Sequence, residues 1–238
     1  QIVDPLTRHI NINEIINFLK RKIPDFILSL VDVYYIGDFD VFKKRNTNAA
    51  YSDGAIYISN NQDNEKDLLD DIIHELGHGV GLAHPHDGGG ESDGTLFPGV
   101  TTAFGDYGTH NLNQGVFTTM SYNTGYESVA PSSSSAYGYE GTPMALDVAA
   151  LQELYGANNN YETGDNNYSL ANVNAAGTFW SCIWDAGGED TITNEGGTGF
   201  NPCDYNTGAC GDACLGRGEQ GCQNNGYPNC LQYCKADV

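Results

Sequence analysis

His74-Glu75-Leu76-Gly77-His78-Gly79-Val80-Gly81-Leu82-Ala83-His84 decides how the rest of this chain is read. Residues four apart share one face of a helix, so His74 and His78 can aim both imidazoles at one ion. Zinc suits such ligands and lowers the pKa of bound water toward about 7, and a glutamate beside it, here Glu75, can take the proton as general base. Gly81 can adopt the positive φ that turns a chain sharply out of a helix, and His84 then returns as a third ligand. Three protein ligands leave an open position, which marks a catalytic rather than a structural site. His86 would be a ligand only in a shifted register, and the Gly81 offset favours His84. His110 reads as a surface residue.

The elements around this stretch suit a small α+β domain. Residues 65–80 place Leu68, Leu69, Ile72, Ile73, Leu76 and Val80 on one apolar stripe, which predicts the helix that carries the histidines. Residues 11–23 repeat isoleucine and leucine at helical spacing, and Pro24 stops them. Residues 26–36 read as a strand, 40–45 as a possible second, and 55–59 as a short strand after an Asp53-Gly54 turn. From His84 to about Gly141 little is periodic, the signature of functional loops or disorder. Residues 143–155 are helical, with Pro143 suited to the first turn and Gly156 to the end. Residues 178–184 read as a strand.

Charge and cysteine are both lopsided. The 238 residues hold 10 Lys and Arg against 31 Asp and Glu, a net charge of −21. Residues 1–66 are nearly balanced, so almost all the excess follows them. Such a chain repels nucleic acid and anionic membranes, and no apolar run approaches the roughly 20 residues of a membrane span. Clustered carboxylates favour calcium or another hard cation. Asp87, Glu91, Asp93 and Asp106 could hold one in the long loop, the alternative being solvated side chains. All 7 cysteines lie at or after Cys182. Cys203, Cys210, Cys214, Cys222, Cys230 and Cys234 are dense enough for the disulfide framework of a secreted protein. A zinc cluster is the alternative, and the odd number leaves one thiol over. No leader opens the sequence, so it reads as a mature chain or one given without its leader.

Thr118-Thr119-Met120-Ser121-Tyr122 follows further along. With the extended histidine motif it makes the metzincin signature, in which Met120 floors the metal site. Within the metzincins the chain resembles the serralysins, secreted bacterial zinc proteases of peptidase family M10. His74 to Pro85, Met120-Ser121-Tyr122 and residues 137–157 carry that resemblance, which covers roughly 74–195. It implies a metzincin catalytic domain: a small twisted sheet, the active-site helix, a Met-turn and a C-terminal helix. It implies zinc on His74, His78 and His84, with Tyr122 as a displaceable further ligand that stabilises the oxyanion. It implies a secreted, extracellular zinc metalloendopeptidase acting on protein or peptide substrates, without nucleic acid or membrane partners, as a monomer. The substrate would lie extended against an edge strand at 55–59.

The same resemblance implies a calcium site from residues 162–166 and Trp184 to Asp190. Asp185 and Asp190 would give carboxylates, Glu162, Gly164 and Gly187 backbone oxygens, and Asn166 an oxygen where the family has threonine. The family's glycine-rich repeats are absent from the sequence beyond Gly187-Gly188-Glu189-Asp190-Thr191-Ile192, and its members are essentially cysteine-free. The expected organisation is therefore a catalytic domain over 1–165, a calcium-bearing β and glycine-rich segment over 166–200, and a disulfide-rich tail over 201–238. Two other readings stay open. One is a zincin-fold binding or matrix protein with weak or lost catalysis, anchored by its cysteine-rich tail. The other is another metzincin branch such as the matrixins, which would lack the tyrosine after Met120 and carry a second, structural zinc.

Overall fold

The computed structural model describes residues 1–45, 47–88, 96–125, 127, 128, 139–169, 180–193 and 232–235. Several helices pack on a three-stranded sheet to form the main core. Helix α1 (Ile12–Lys22) begins at Asn11, whose side chain accepts the Glu14 amide, and it buries Ile15 and Leu19. Helix α4 (Glu65–Gly79) begins at Asn64, whose side chain accepts the amides of Lys66 and Asp67. These caps satisfy amides that a helix start leaves without partners. The whole expected stripe of α4 is buried. At roughly 1.5–3 kcal/mol per fully buried aliphatic side chain, that stripe is the main force seating the histidine helix on the sheet.

The chain then departs from its expected elements. Residues 26–36 are not one strand: helix α2 (Asp25–Leu28) follows Pro24, and only β1 (Val33–Gly37) is extended. Residues 40–45 form helix α3 (Asp40–Arg45), with Asp40 in its first turn and three basic residues in its last, matching the helix dipole. Strands β2 (Ala49–Ser52) and β3 (Ala55–Ser59) form a hairpin around Asp53-Gly54, both at positive φ.

The strand order is β1-β3-β2, with β1 parallel and β2 antiparallel to β3. This corrects the expected edge. Residues 55–59 are the central strand, and Ile56 and Ile58 are fully buried. The edge nearest α4 is β2. In the hairpin, Ser59 N–H donates to Asn48 C=O. Hydrogen-bonded pairs alternate along an antiparallel ladder, so Ala49 and Tyr51 turn their amides to the open side.

After α4 come a one-turn 3₁₀ helix (Thr109–Asn111) and helix α5 (Ala145–Tyr155). Three short strand pairings close the fold. β4 (Asn167–Ser169) runs parallel to β6 (Thr191–Thr193), and β5 (Cys182–Asp185) runs parallel to β7 (Gln232–Lys235). Glu140 bridges Trp180. Trp184 of β5 belongs to the main core and meets Phe26 edge-on, with ring centroids 6.2 Å apart. Cys182 is buried. Cys203, Cys210, Cys214, Cys222 and Cys230 lie outside the described residues, as do Glu91 and Asp93, and Cys234 falls in the backbone of β7.

Candidate active site

The last turns of α4 and the loop behind it bring the three expected zinc ligands together. Gly81 has φ +92°, and Leu82 N–H returns to Gly77 C=O, so the helix ends in a tight reversal. That reversal carries His84 back over His74 and His78. Its Nε2 lies 2.9 Å from that of His74 and 3.1 Å from that of His78. Each ring's other nitrogen faces an acceptor: Thr119 C=O at 2.8 Å for His74, Leu82 C=O at 3.0 Å for His78, and Asp87 Oδ2 at 2.5 Å for His84. Each Nδ1 therefore donates, and three Nε2 lone pairs converge on one point. Tetrahedral zinc at about 2.05 Å would set such nitrogens roughly 3.3 Å apart, so the donor set fits that ion after a small outward adjustment. Burial lowers the pKa of all three, that of His74 to about 3, with its histidine neighbours adding to the effect. Neutral imidazole is the ligating form.

Glu75 lies on the neighbouring face of α4, 7% exposed. Burial lifts its pKa to about 7, against a backbone hydrogen bond from Tyr51 on the β2 edge. Tyr122 is 38% exposed, its ring 4.7 Å from that of His84 and 5.9 Å from that of His74. Burial, then Glu75 and Asp87, raise its hydroxyl pKa, which keeps it a proton donor. Met120 is buried beneath the histidines against Gly77.

The matched relatives are proteases. The chain is 35% identical over 135 residues to a serralysin of Proteus mirabilis, covering 52% of this chain and 25% of that protein. It is 34% identical over 152 residues to serralysin C of Dickeya chrysanthemi, covering 59% and 29%. It is 33% identical over 141 residues to the metalloprotease AprA of Pseudomonas entomophila, covering 53% and 27%. No protein-family model matches. Over the matched stretch the chain resembles the serralysin-type metalloproteases. The matches span only about a quarter to a third of these relatives' length.

In this serralysin-like chain the two loops that carry the six expected calcium residues lie side by side. Asn166 Nδ2 donates to Glu162 Oε2 at 2.5 Å and lies 3.5 Å from Asp185 Oδ2. Its backbone N–H donates to Asp190 Oδ1 at 3.0 Å, and Gly187 N–H to Asp185 Oδ1 at 2.8 Å. Asp185 is fully buried and accepts the Tyr168 hydroxyl at 2.5 Å. A Cβ on Gly188 would lie 2.2 Å from Gly164 C=O, so glycine lets the two loops touch. Among the described residues, three side-chain ligands converge only in two histidine groups, His74-His78-His84 and His84-His86-Asp87. The carboxylates here do not. Of the possible loop cation site, Glu91 and Asp93 lie outside the described residues; Asp106 accepts from Thr101 and Gly108, and Asp87 from His84.

Several supporting residues have no counterpart in the sequence reading. Asp147 of α5 is buried and accepts from Thr118 Oγ1 at 2.6 Å, Thr119 N–H at 2.8 Å and Met144 N–H at 2.8 Å. It ties the Met-turn to α5, and Thr119 C=O in turn orients His74. Burial raises its pKa and these bonds partly offset the rise. The signal was its place as the third residue of a helix. Gly77 carried one too, as a glycine inside a helix, for a Cβ there would lie 2.3 Å from Met120 Sδ. Asp87 entered the sequence reading only as a possible loop cation ligand, and its role beside His84 could be found only by knowing where His84 points.

Proposed function

We propose that this chain is a zinc-dependent endopeptidase of the serralysin type, with His74, His78 and His84 as zinc ligands. The convergence of three Nε2 atoms, each ring locked through its Nδ1, carries this reading. Zinc bound there supplies the Lewis acidity that polarises a peptide carbonyl and acidifies water. The protein's own groups do the rest. Thr119, Leu82 and Asp87 fix each imidazole as an Nδ1–H tautomer. Glu75 takes the proton from the attacking water and returns it to the leaving amine. Burial raises the Glu75 carboxyl pKa, which favours taking up the proton, and the Tyr51 amide holds the carboxylate at the sheet edge. The Tyr122 hydroxyl donates to the developing oxyanion. An extended substrate pairs with the β2 edge through Ala49 N–H and Tyr51 C=O, adding a strand to the sheet.

Glu162, Gly164, Asn166, Asp185, Gly187 and Asp190 form a calcium site in this proposal, with the Asn166 amide turning its oxygen inward. The chain is read as a secreted monomer, with a catalytic domain over 1–165, a calcium-bearing segment over 166–200 and a disulfide-rich tail over 201–238.

The test is digestion of casein and of a quenched peptide library with and without chelator, beside E75Q. Chelation should abolish cleavage and zinc should restore it. E75Q should bind zinc as the wild type does and lose about 10²–10⁴-fold in turnover. Cleavage indifferent to chelator, or an undiminished E75Q, overturns the assignment.

A further inference from the structure

His86 lies beside the proposed zinc ligands without belonging to them. Its ring is nearly parallel to that of His84, with centroids 5.1 Å apart and an interplanar angle of 20°. On another side it meets the Tyr122 ring at 4.8 Å. Its Nδ1 is buried and has no hydrogen-bond partner. A buried polar atom left unpaired is costly and calls for an explanation. Three neighbouring residues supply a chemical one. His84, His86 and Asp87 each offer a ligand atom, and these atoms lie within 4.8 Å of one another, close enough for a single ion to touch all of them.

We propose that His86 and Asp87, beside His84, form a second site for a divalent transition-metal ion, at the mouth of the first. Imidazole with carboxylate selects zinc, copper or nickel over calcium and magnesium. His84 has turned its Nε2 toward His74 and His78 and keeps its Nδ1–H on Asp87, so His86 and Asp87 are the ligands of the second ion and water completes its coordination. A carboxylate has two oxygens and four lone-pair directions, which lets Asp87 serve His84 and an ion together. Asp87 is exposed and Tyr122 partly so, which places the second ion on the solvent side, next to the hydroxyl assigned to the oxyanion. Its occupancy therefore obstructs the open face of the first site. The chain's large negative charge raises the local concentration of cations. Excess metal becomes an inhibitor, acting through residues separate from those that hold the essential ion. The inference rests on the proposed zinc site in that the second ion is counted beyond the first.

Equilibrium dialysis against increasing free zinc tests it, using the whole chain, H86Q and H86E. The wild type should take up one tight zinc and a weaker second. H86Q should keep the first and bind the second at least about tenfold more weakly. The difference between these proteins isolates the site from zinc held by carboxylates or cysteines elsewhere. H86E, which returns a ligand of similar reach, should recover the second ion, whereas a residue that only packs would leave the two variants alike. In peptide cleavage, the midpoint of inhibition by excess zinc should rise about tenfold in H86Q. Identical zinc isotherms for wild type and H86Q overturn the second site and leave the first standing. A wild type that takes up no tight zinc overturns both.

Discussion

Gly77→Ala is the sharpest probe of how the Met-turn supports the histidines. A Cβ at position 77 would lie 2.3 Å from Met120 Sδ, where ordinary contact begins at 3.4 Å. Met120 is 2% exposed, so the sulfur has little room to retreat. Overpacking of this kind costs about 1–3 kcal/mol. Alanine in a helix interior returns about 1 kcal/mol relative to glycine. The expected net loss is up to about 2 kcal/mol. Met120→Ala alone opens a cavity and should cost about 2–5 kcal/mol. With Met120 shortened, the collision disappears and only the helix gain remains, so Gly77→Ala should become neutral or stabilising by up to about 1 kcal/mol. The sign of one substitution thus inverts with the state of the other. Urea unfolding of the four proteins in chelator measures the cycle. Zinc affinity adds a second readout, because a displaced Met120 moves Thr119, whose carbonyl orients His74; a 10–100-fold loss in G77A is expected. An equal cost of Gly77→Ala in both backgrounds would refute the argument.

Other outcomes follow from the supporting residues. D147A leaves Thr118 Oγ1, Thr119 N–H and Met144 N–H without their acceptor and should lose at least about 3 kcal/mol by thermal or urea unfolding, at about 1–3 kcal/mol per abandoned group. D147N keeps an oxygen for the two amides and removes a buried charge, so it should be much closer to wild type. Asp71, half-buried beside Gln62, has its pKa raised from 3.8 to about 7 chiefly by burial. Its native form prefers the proton, so its contribution to stability is lost as pH rises from about 4 to about 7. D71N should therefore be more stable than wild type at pH 8, with the advantage gone by pH 4; a pH-independent difference would contradict this. Calcium should raise the melting temperature of the wild type but not of D185N/D190N, as followed by differential scanning fluorimetry with and without calcium.

What could be read in the sequence was local. The three histidines, Glu75 and Gly81 belong to one helix and its exit, so spacing alone fixes their relation. The apolar stripe from Leu68 to Val80 likewise reports its own burial. The strand order could not be read that way. Ala55 to Ser59 looks like a strand, but whether it is central or edge depends on β1 arriving parallel from across α3, and no local pattern encodes that. Residues 40–45 misled because Val41 and Phe42 suit either state, and the charge order that settled it is a weak signal. Asp147 and Asp87 act across turns whose course is known only once the chain is folded.

The β2 edge has a consequence for what can be cut. In the proposed mode of binding, the strand that pairs with a passing chain also holds the proposed base through Tyr51, so docking and chemistry share one ruler. A polypeptide can lie along that ruler only if its own amides are unspent for several residues on either side of the scissile bond. Segments already in helices or sheets cannot comply without first unfolding, and their local stability then enters the rate as a penalty. Such an edge discriminates by the looseness of the target before any side chain is consulted.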